Sequence, residues 1–267
     1  MGSEMCIRDS NAAFDARGLN KVYVPFRVPP EELSQFLIDC REFGIKGLSV
    51  TIPHKEEIIH HIDRFDEASQ EIGACNTVIW KDDLKIGHNT DYKAAMNSLD
   101  AVFGGNEAAS GLQGRPALVL GAGGVARAIV LGLKRRGADI VIASRTPQRA
   151  DDLATYCKGK SIAWSLRHSV KADLVVNCTP VGMHPNVDDT PLEAKYVRRD
   201  QVIFDTVYNP ENTLFIKQAR ELGCQVITGI DMFVGQAALQ FKHFTDQPAP
   251  IDTMREVVRR AISAVKY

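Results

Sequence analysis

Leu118-Val119-Leu120-Gly121-Ala122-Gly123-Gly124-Val125-Ala126-Arg127-Ala128 is the stretch that decides how this 267-residue chain folds. Residues 117–120 form an uninterrupted apolar run, as expected of a strand buried on both faces of a parallel sheet. Gly121-Ala122-Gly123-Gly124 is a tight turn, and 125–136 then reads as a helix. The glycine spacing follows G-x-G-x-x-G with Ala126 in the sixth place, a substitution the dinucleotide fingerprint allows. Only small residues let a backbone approach a pyrophosphate, and the helix N-terminus offers it free N–H groups and a partial positive charge. A plain tight turn is the alternative; the strand-turn-helix context favours the nucleotide site.

Downstream, a strand over 139–143 ends in Ser144-Arg145-Thr146-Pro147-Gln148-Arg149, where such a unit reads the adenosine ribose. An enzyme for NAD would place an acid there, to accept from the 2′-hydroxyl. A hydroxyl and two arginines, Arg145 and Arg149, suit a 2′-phosphate through charge-assisted bonds, so NADP is expected. A solvated helix start is the alternative for both arginines. Further strands over 161–164, 174–178, 201–205 and 225–228 put Thr179-Pro180-Val181-Gly182-Met183 and Val207-Tyr208-Asn209-Pro210 at carboxyl strand ends, the ligand edge of an open α/β sheet. Gly229 leads into a helix over 232–244 that carries Gln236 one turn in.

Upstream, the pattern alternates as strands and crossover helices of a parallel sheet would. It gives a helix over 11–16, a strand over 21–25, a helix opened by Pro29-Pro30-Glu31 and running to 42, and a strand over 47–51. Helices over 55–61 and 67–72 follow, then strands over 76–80 and 85–87 joined by Lys81-Asp82-Asp83, then a helix over 92–103. The small, polar segment 104–114 is the clearest linker. It separates a first domain, 11–104, from a second, 115–230, with helices in 231–267 expected to pack back on the first. Residues 1–10, "MGSEMCIRDS", show no periodicity and no signal-peptide core, and are read as an artefactual or non-native start outside the fold.

Composition sets outer limits. The chain is 45% hydrophobic and 24% charged with net charge −1. Its basic residues are scattered and its apolar runs fall well short of the ~20 residues that span a bilayer, so neither nucleic acid nor membrane is indicated. The six cysteines include no C-x-x-C pair, which fits neither a zinc site nor a disulfide framework and suits a reducing cytoplasm. His54, His60 and His61 lack the partner pattern of a metal site and read as helix-surface residues; no metal is expected. Cys178 reads as a buried strand residue, and Trp80 and Trp164 as packing.

The motifs "VTIPHK", "GACNTV", "HNTD", "LGAGGVARA", "SRTPQR", "NCTPVGM" and "GIDMFVGQAALQF" occur in the order and rough spacing of the shikimate dehydrogenase family, which the chain resembles from Asn11 onward. The resemblance implies an N-terminal α/β substrate domain, a C-terminal Rossmann-type NADP-binding domain and a cleft between them. It also implies reversible reduction of 3-dehydroshikimate to shikimate with NADPH, on the pathway to chorismate and the aromatic amino acids, by a monomer or homodimer. By the same resemblance Lys55 is the catalytic lysine and Asp91 its partner, with Asp91, Asn76 and Thr51 as substrate contacts. Glu67 falls at an acidic position assigned to the cofactor. Gly121, Ala122, Gly123, Gly124, Val125 and Ala126, together with Ser144, Arg145, Thr146 and Arg149, resemble the NADP loops. Thr179 and Val207 would lie near ribose or nicotinamide, and Gly229 would give nicotinamide a backbone contact. Tyr208 and Gln236 resemble substrate contacts reaching across the cleft.

The chemistry makes sense of these types. Hydride arriving at a ketone carbon puts negative charge on its oxygen, which a protonated lysine stabilises and protonates, while an adjacent carboxylate keeps the ammonium charged and aimed. The competing reading is a surface lysine and an Asp91 that caps the helix starting at Tyr92.

Two departures matter. The family holds the substrate carboxylate with Ser-x-Ser-Pro on a first strand, and aligned backward from Asn11 those serines fall on Glu4 and Cys6 and the proline on Ile7. That leaves a non-catalytic cofactor-binding relative as one alternative and a quinate/shikimate dehydrogenase using NAD as another. Tyr92 stands where many relatives carry glycine and resembles forms fused behind a dehydroquinate dehydratase domain, so a truncated fusion would explain the start.

Overall fold

The structure is a computed structural model that describes residues 2–264, with side chains from 6 to 262. It divides into two compact units, one made of the chain through Lys93 together with the chain from Val234 onward, the other Ala94–Phe233.

The first unit opens with α1 (Gly2–Ala16), one unbroken helix where only 11–16 was expected to be helical. Asp9 and Ser10 are buried, so the segment set aside as foreign is packed into the unit. α2 (Leu33–Glu42) follows Pro30 in a first turn, as Pro's fixed φ favours. The strands are β1 (Gly47–Ser49), β2 (Arg64–Phe65), β3 (Thr77–Lys81) and β4 (Leu84–His88), between which lie the short α3 (His54–Glu57) and α4 (Glu67–Ile72). Their order is β1-β3-β4-β2, with β1/β3 and β3/β4 antiparallel and β2/β4 parallel. The parallel sheet expected here is thus corrected to a mixed one. Its hairpin turns at Asp82 and Asp83, both at positive φ, the twist that a two-residue β-hairpin needs.

No strand forms over 21–25. The backbone N–H and C=O of Tyr23 are both taken by the side chain of Asn11, at 2.8 and 2.9 Å, so this extended segment finds its partners in one amide side chain.

α5 (Thr90–Phe103) begins in the first unit and continues in the second, which corrects the boundary expected at 104–114. The reason is packing: Met96 lies against Gly132, and the buried Arg136 pairs with Asp100 through Nε and Nη2 at 2.7 and 2.6 Å. A bidentate guanidinium–carboxylate pair of that kind ties α5 to the nucleotide-type helix.

The second unit is β5 (Pro116–Leu120), α6 (Gly124–Arg135), β6 (Asp139–Ser144), α7 (Pro147–Cys157), β7 (Lys160–Ala163), β8 (Leu174–Asn177), β9 (Val202–Asp205), α8 (Leu214–Glu221) and β10 (Gln225–Ile227). All six strands are parallel, in the order β10-β9-β8-β5-β6-β7. That is the doubly wound Rossmann order, with its switch point between β5 and β8. Trp164 opens a 3-10 turn, so the strand expected over 161–164 ends at Ala163. Leu118, Leu120, Val175, Ile203, Phe215 and Ile216 form the core on one side of this sheet.

α9 (Gly229–Thr245) runs out of the second unit and into the first, where α10 (Ile251–Ala264) packs against α1. Phe241 of α9 meets the ring of Phe14 at 5.5 Å. No helix is long and apolar enough to cross a membrane among the described residues.

Candidate active site

In the first unit, β1 ends at Ser49 and the chain turns through Thr51, whose carbonyl accepts from His54 N at 2.9 Å, into α3. The Lys55 carbonyl accepts from Cys75 N at 2.9 Å, which pins this short helix beside the approach to β3. The Lys55 side chain then reaches Asp91, with Nζ 2.6 Å from Oδ2. The pair is 29% and 16% exposed, enough for solvent and a ligand to reach the ammonium.

Asp91 is not the cap of α5. Asn89 is: its Oδ1 accepts from Tyr92 N at 3.0 Å, while its amide donates to the Ala74 carbonyl. That leaves the Asp91 carboxylate in the first helical turn, where the helix dipole favours negative charge. The competing reading of Asp91 as a cap is thereby corrected, and its carboxylate is committed to Lys55.

Asn76 is buried beside them. Its Oδ1 accepts from Thr90 N at 2.8 Å and from Thr77 Oγ1 at 2.9 Å, and its Nδ2 donates to Thr90 Oγ1 at 3.0 Å. Gln236 is also buried, on α9, close enough to act on the Cys6 thiol. Desolvation, then the nearby Asp9 and Asp91 carboxylates, push the Cys6 pKa up to about 12, against the pull of Lys55. Cys6 therefore lies within the electrostatic reach of the Lys55–Asp91 pair, at the position where the family resemblance puts a serine. The Glu4 side chain lies outside the described residues. Thr51 and Glu67 are exposed, Glu67 in the first turn of α4, whose cap is Asp66.

In the second unit, the other residues expected to be functional gather at the carboxyl ends of the parallel strands. Gly121, at φ +108, follows β5; a Cβ there would stand 2.9 Å from the Cys178 carbonyl oxygen. Gly123 precedes α6 without a side-chain cap, leaving the first-turn N–H groups of Gly124, Val125 and Ala126 for an anion. A Cβ on Gly123 or Gly124 would meet no atom within 4 Å. The folded chain leaves room for side chains here, and the space suits a pyrophosphate against bare backbone.

Ser144 ends β6, where its hydroxyl accepts from Thr146 N at 3.2 Å, and Thr146 precedes α7. Arg145 and Arg149 are exposed, and neither forms an ion pair among the described residues. Two uncommitted guanidinium groups beside the β6 end fit a phosphate.

A buried network that was not expected holds the remaining loops. Asp205, at the end of β9, accepts from Asn177 Nδ2 at 2.9 Å, Thr213 Oγ1 at 2.6 Å and Val207 N at 3.0 Å. Asn177 Oδ1 in turn accepts from the N–H and hydroxyl of Thr179. Burial raises the Asp205 carboxyl to about 6 despite these donors. Thr179 and Val207 are thereby fixed from below. Val207 and Tyr208 press on Gly229, where a Cβ would lie 2.2 Å from the Val207 carbonyl oxygen, and the Tyr208 ring packs on Phe233.

Several structural partners were missed: Asn89, Thr90, Asn177, Asp205 and Gln240. Each is a buried polar residue. Gln240 had a visible signal, four residues after Gln236 in "GQAALQF".

A Rossmann-ordered parallel sheet with a bare-backbone anion cradle, together with a separate unit that pairs a lysine with a carboxylate, defines a nicotinamide-dinucleotide oxidoreductase. Comparisons with known proteins narrow the class. The shikimate dehydrogenase substrate binding domain matches residues 6–78, the shikimate 5′-dehydrogenase C-terminal domain matches 229–259, and the F420-dependent NADP oxidoreductase model matches 117–208. The NADP(+) shikimate dehydrogenase of Moorella thermoacetica is 40% identical over 265 residues, covering 95% of this chain and 88% of that one. Among solved structures, a shikimate dehydrogenase in complex with NADP+ is 34% identical with a TM-score of 0.87, covering 97% of this chain and 91% of that one. The Thermus thermophilus enzyme, in complex with NADP(H) and shikimate, is 32% identical with a TM-score of 0.84, covering 97% and 95%. The chain belongs to the shikimate dehydrogenase family.

Proposed function

We propose that this chain interconverts 3-dehydroshikimate and shikimate with NADP, with Lys55 and Asp91 as its catalytic pair. The single observation that carries the reading is the 2.6 Å contact between Lys55 Nζ and Asp91 Oδ2 in a half-buried position. The cofactor, when bound, supplies or removes a hydride at the substrate carbon. As the ketone oxygen gains charge, Lys55 donates one proton to it and is reprotonated from solvent; oxidation runs the same transfer backward. Asp91 keeps the ammonium aimed. Asn76 and Gln236 bind substrate hydroxyls from buried positions, and Thr51 and Tyr208 complete the contacts.

In the second unit the Gly121–Ala122–Gly123–Gly124 turn and the first N–H groups of α6 hold the pyrophosphate. Ser144, Thr146, Arg145 and Arg149 hold the 2′-phosphate; Thr179 and Val207 lie near the ribose or nicotinamide, Gly229 gives nicotinamide a backbone contact, and Glu67 is a further cofactor contact. The relatives carry NADP(+) in their names, which favours this reading over the NAD-using alternative. The six unbridged cysteines suit a reducing cytoplasm as its location.

Shikimate-dependent formation of NADPH, followed by absorbance, tests the proposal directly. Cofactor binding without turnover would instead establish the non-catalytic relative.

A further inference from the structure

Gln240 lies on α9 one turn after Gln236 and is 4% exposed. Its amide makes three hydrogen bonds within the first unit. Nε2 donates to the Asn76 carbonyl at 3.1 Å and to Thr77 Oγ1 at 3.0 Å, and Oε1 accepts from Ser49 Oγ at 2.9 Å. A backbone carbonyl can only accept, so the amide has one permitted orientation.

That orientation gives the network a direction. The single Ser49 proton goes to Gln240 Oε1, which as an amide oxygen can only accept. At the other end Thr77 Oγ1 accepts from Gln240, and its single proton goes to Asn76 Oδ1 at 2.9 Å. Every bond from Ser49 through Gln240 and Thr77 to Asn76 points the same way.

Asn76 receives the result. Its Oδ1 accepts from Thr77 Oγ1, from Thr90 N and, at 3.2 Å, from Thr90 Oγ1, while Nδ2 gives one proton to Thr90 Oγ1 and keeps a second. We propose that Gln240 is a positioning residue which, by orienting the Thr77 hydroxyl, holds Asn76 as a hydrogen-bond donor to a substrate hydroxyl. The proposal rests on the reading of Asn76 as a substrate contact. Without Gln240 the Thr77 proton can turn toward Thr90 Oγ1, 3.5 Å away, and the Asn76 amide is held by one donor fewer.

Gln240→Met keeps length and volume without the donor, and Thr77→Val keeps shape without the hydroxyl. Each should raise the KM for shikimate about fivefold, the worth of one hydrogen bond, with kcat within about twofold. The KM for NADP should not move. The double variant should do no worse than the poorer single one, because both break one chain. Circular dichroism checks folding, and should Gln240→Met fail to fold, Ser49→Ala paired with Thr77→Val supplies the same comparison. An unchanged shikimate KM in folded variants, additive losses in the double variant, or equal losses of shikimate and NADP affinity would each overturn the proposal. If the unsubstituted chain forms no NADPH from shikimate, or Asn76→Ala leaves the shikimate KM unchanged, the underlying reading falls and this inference with it.

Discussion

The Lys55 ammonium sits 2.6 Å from Asp91 Oδ2, and the two side chains come from different elements, α3 and the first turn of α5. Asn89 takes over the capping of α5, which leaves the carboxylate of Asp91 for the lysine. Lys55→Ala should lower kcat by about 10²- to 10⁴-fold, the usual contribution of a positioned acid–base group, without loss of fold. Asp91→Asn should cost less, roughly 10- to 100-fold in kcat/KM, because it removes one charge-assisted hydrogen bond and leaves the proton donor in place. Steady-state rates with circular dichroism on both variants check this; a folded Lys55→Ala chain with normal turnover would rule the assignment out.

Arg145 and Arg149 follow the end of β6 and form no ion pair among the described residues. If they read a 2′-phosphate, Arg145→Ala or Arg149→Ala should raise the KM for NADPH about 10- to 100-fold and leave the weaker use of NADH nearly unchanged. Parallel titrations with the two cofactors distinguish this from a solvated helix start, for which both values would stay put.

The second unit was legible because its signals are local and strong: apolar strand runs of four or five residues, a glycine turn and a helix, repeated with turns at the ligand edge. The first unit was less so. Tyr23 sits in a β-branched, aromatic stretch that reads as a strand, yet strand formation needs a neighbour, and Asn11 had already taken its backbone groups. Residues 2–10 lack any pattern of their own, and only packing of α1 on α10 shows where they lie. The linker at 104–114 was real as composition but misplaced as a boundary, since Met96 and Asp100 bind α5 to α6 through contacts distant in sequence. In the candidate site, Lys55, Asp91 and Asn76 stand in recognisable motifs; the bonds of their buried partners do not show in the sequence, because one such as Gln240 to Asn76 joins segments more than 160 positions apart.

The glycines of the nucleotide turn separate folding from binding. A Cβ at Gly123 or Gly124 meets nothing within 4 Å, so Gly123→Ala and Gly124→Ala should leave stability within about 0.5 kcal/mol or slightly raise it. Their NADP affinity should fall more than about tenfold, because a methyl group would stand where pyrophosphate approaches the backbone. Gly121→Ala should behave differently: its φ of +108 and the 2.9 Å approach to Cys178 predict a loss of roughly 1–3 kcal/mol with or without cofactor. Thermal melts and calorimetric NADP titrations on the three variants check the contrast.

His243 on α9 stacks on His88 of β4, with ring centroids 4.0 Å apart, and His88 Nδ1 lies 3.2 Å from Asp66 Oδ2. Burial, then the charge of His88, lowers the His243 pKa to about 4; Lys242 acts the same way and Asp66 and Asp246 oppose it. In the unfolded chain the residue titrates near its ordinary value of about 6.5. Between those values the unfolded state binds the extra proton, so stability is retained above about pH 6.5 and lost as the pH falls toward 4. Partial exposure of the ring limits the loss to about 2 kcal/mol. His243→Phe keeps a ring against His88 and removes the titration, so denaturant unfolding at pH 7.5 and 4.5 should show a smaller stability difference in the variant. An equal difference in both chains would exclude His243 as the source of acid sensitivity.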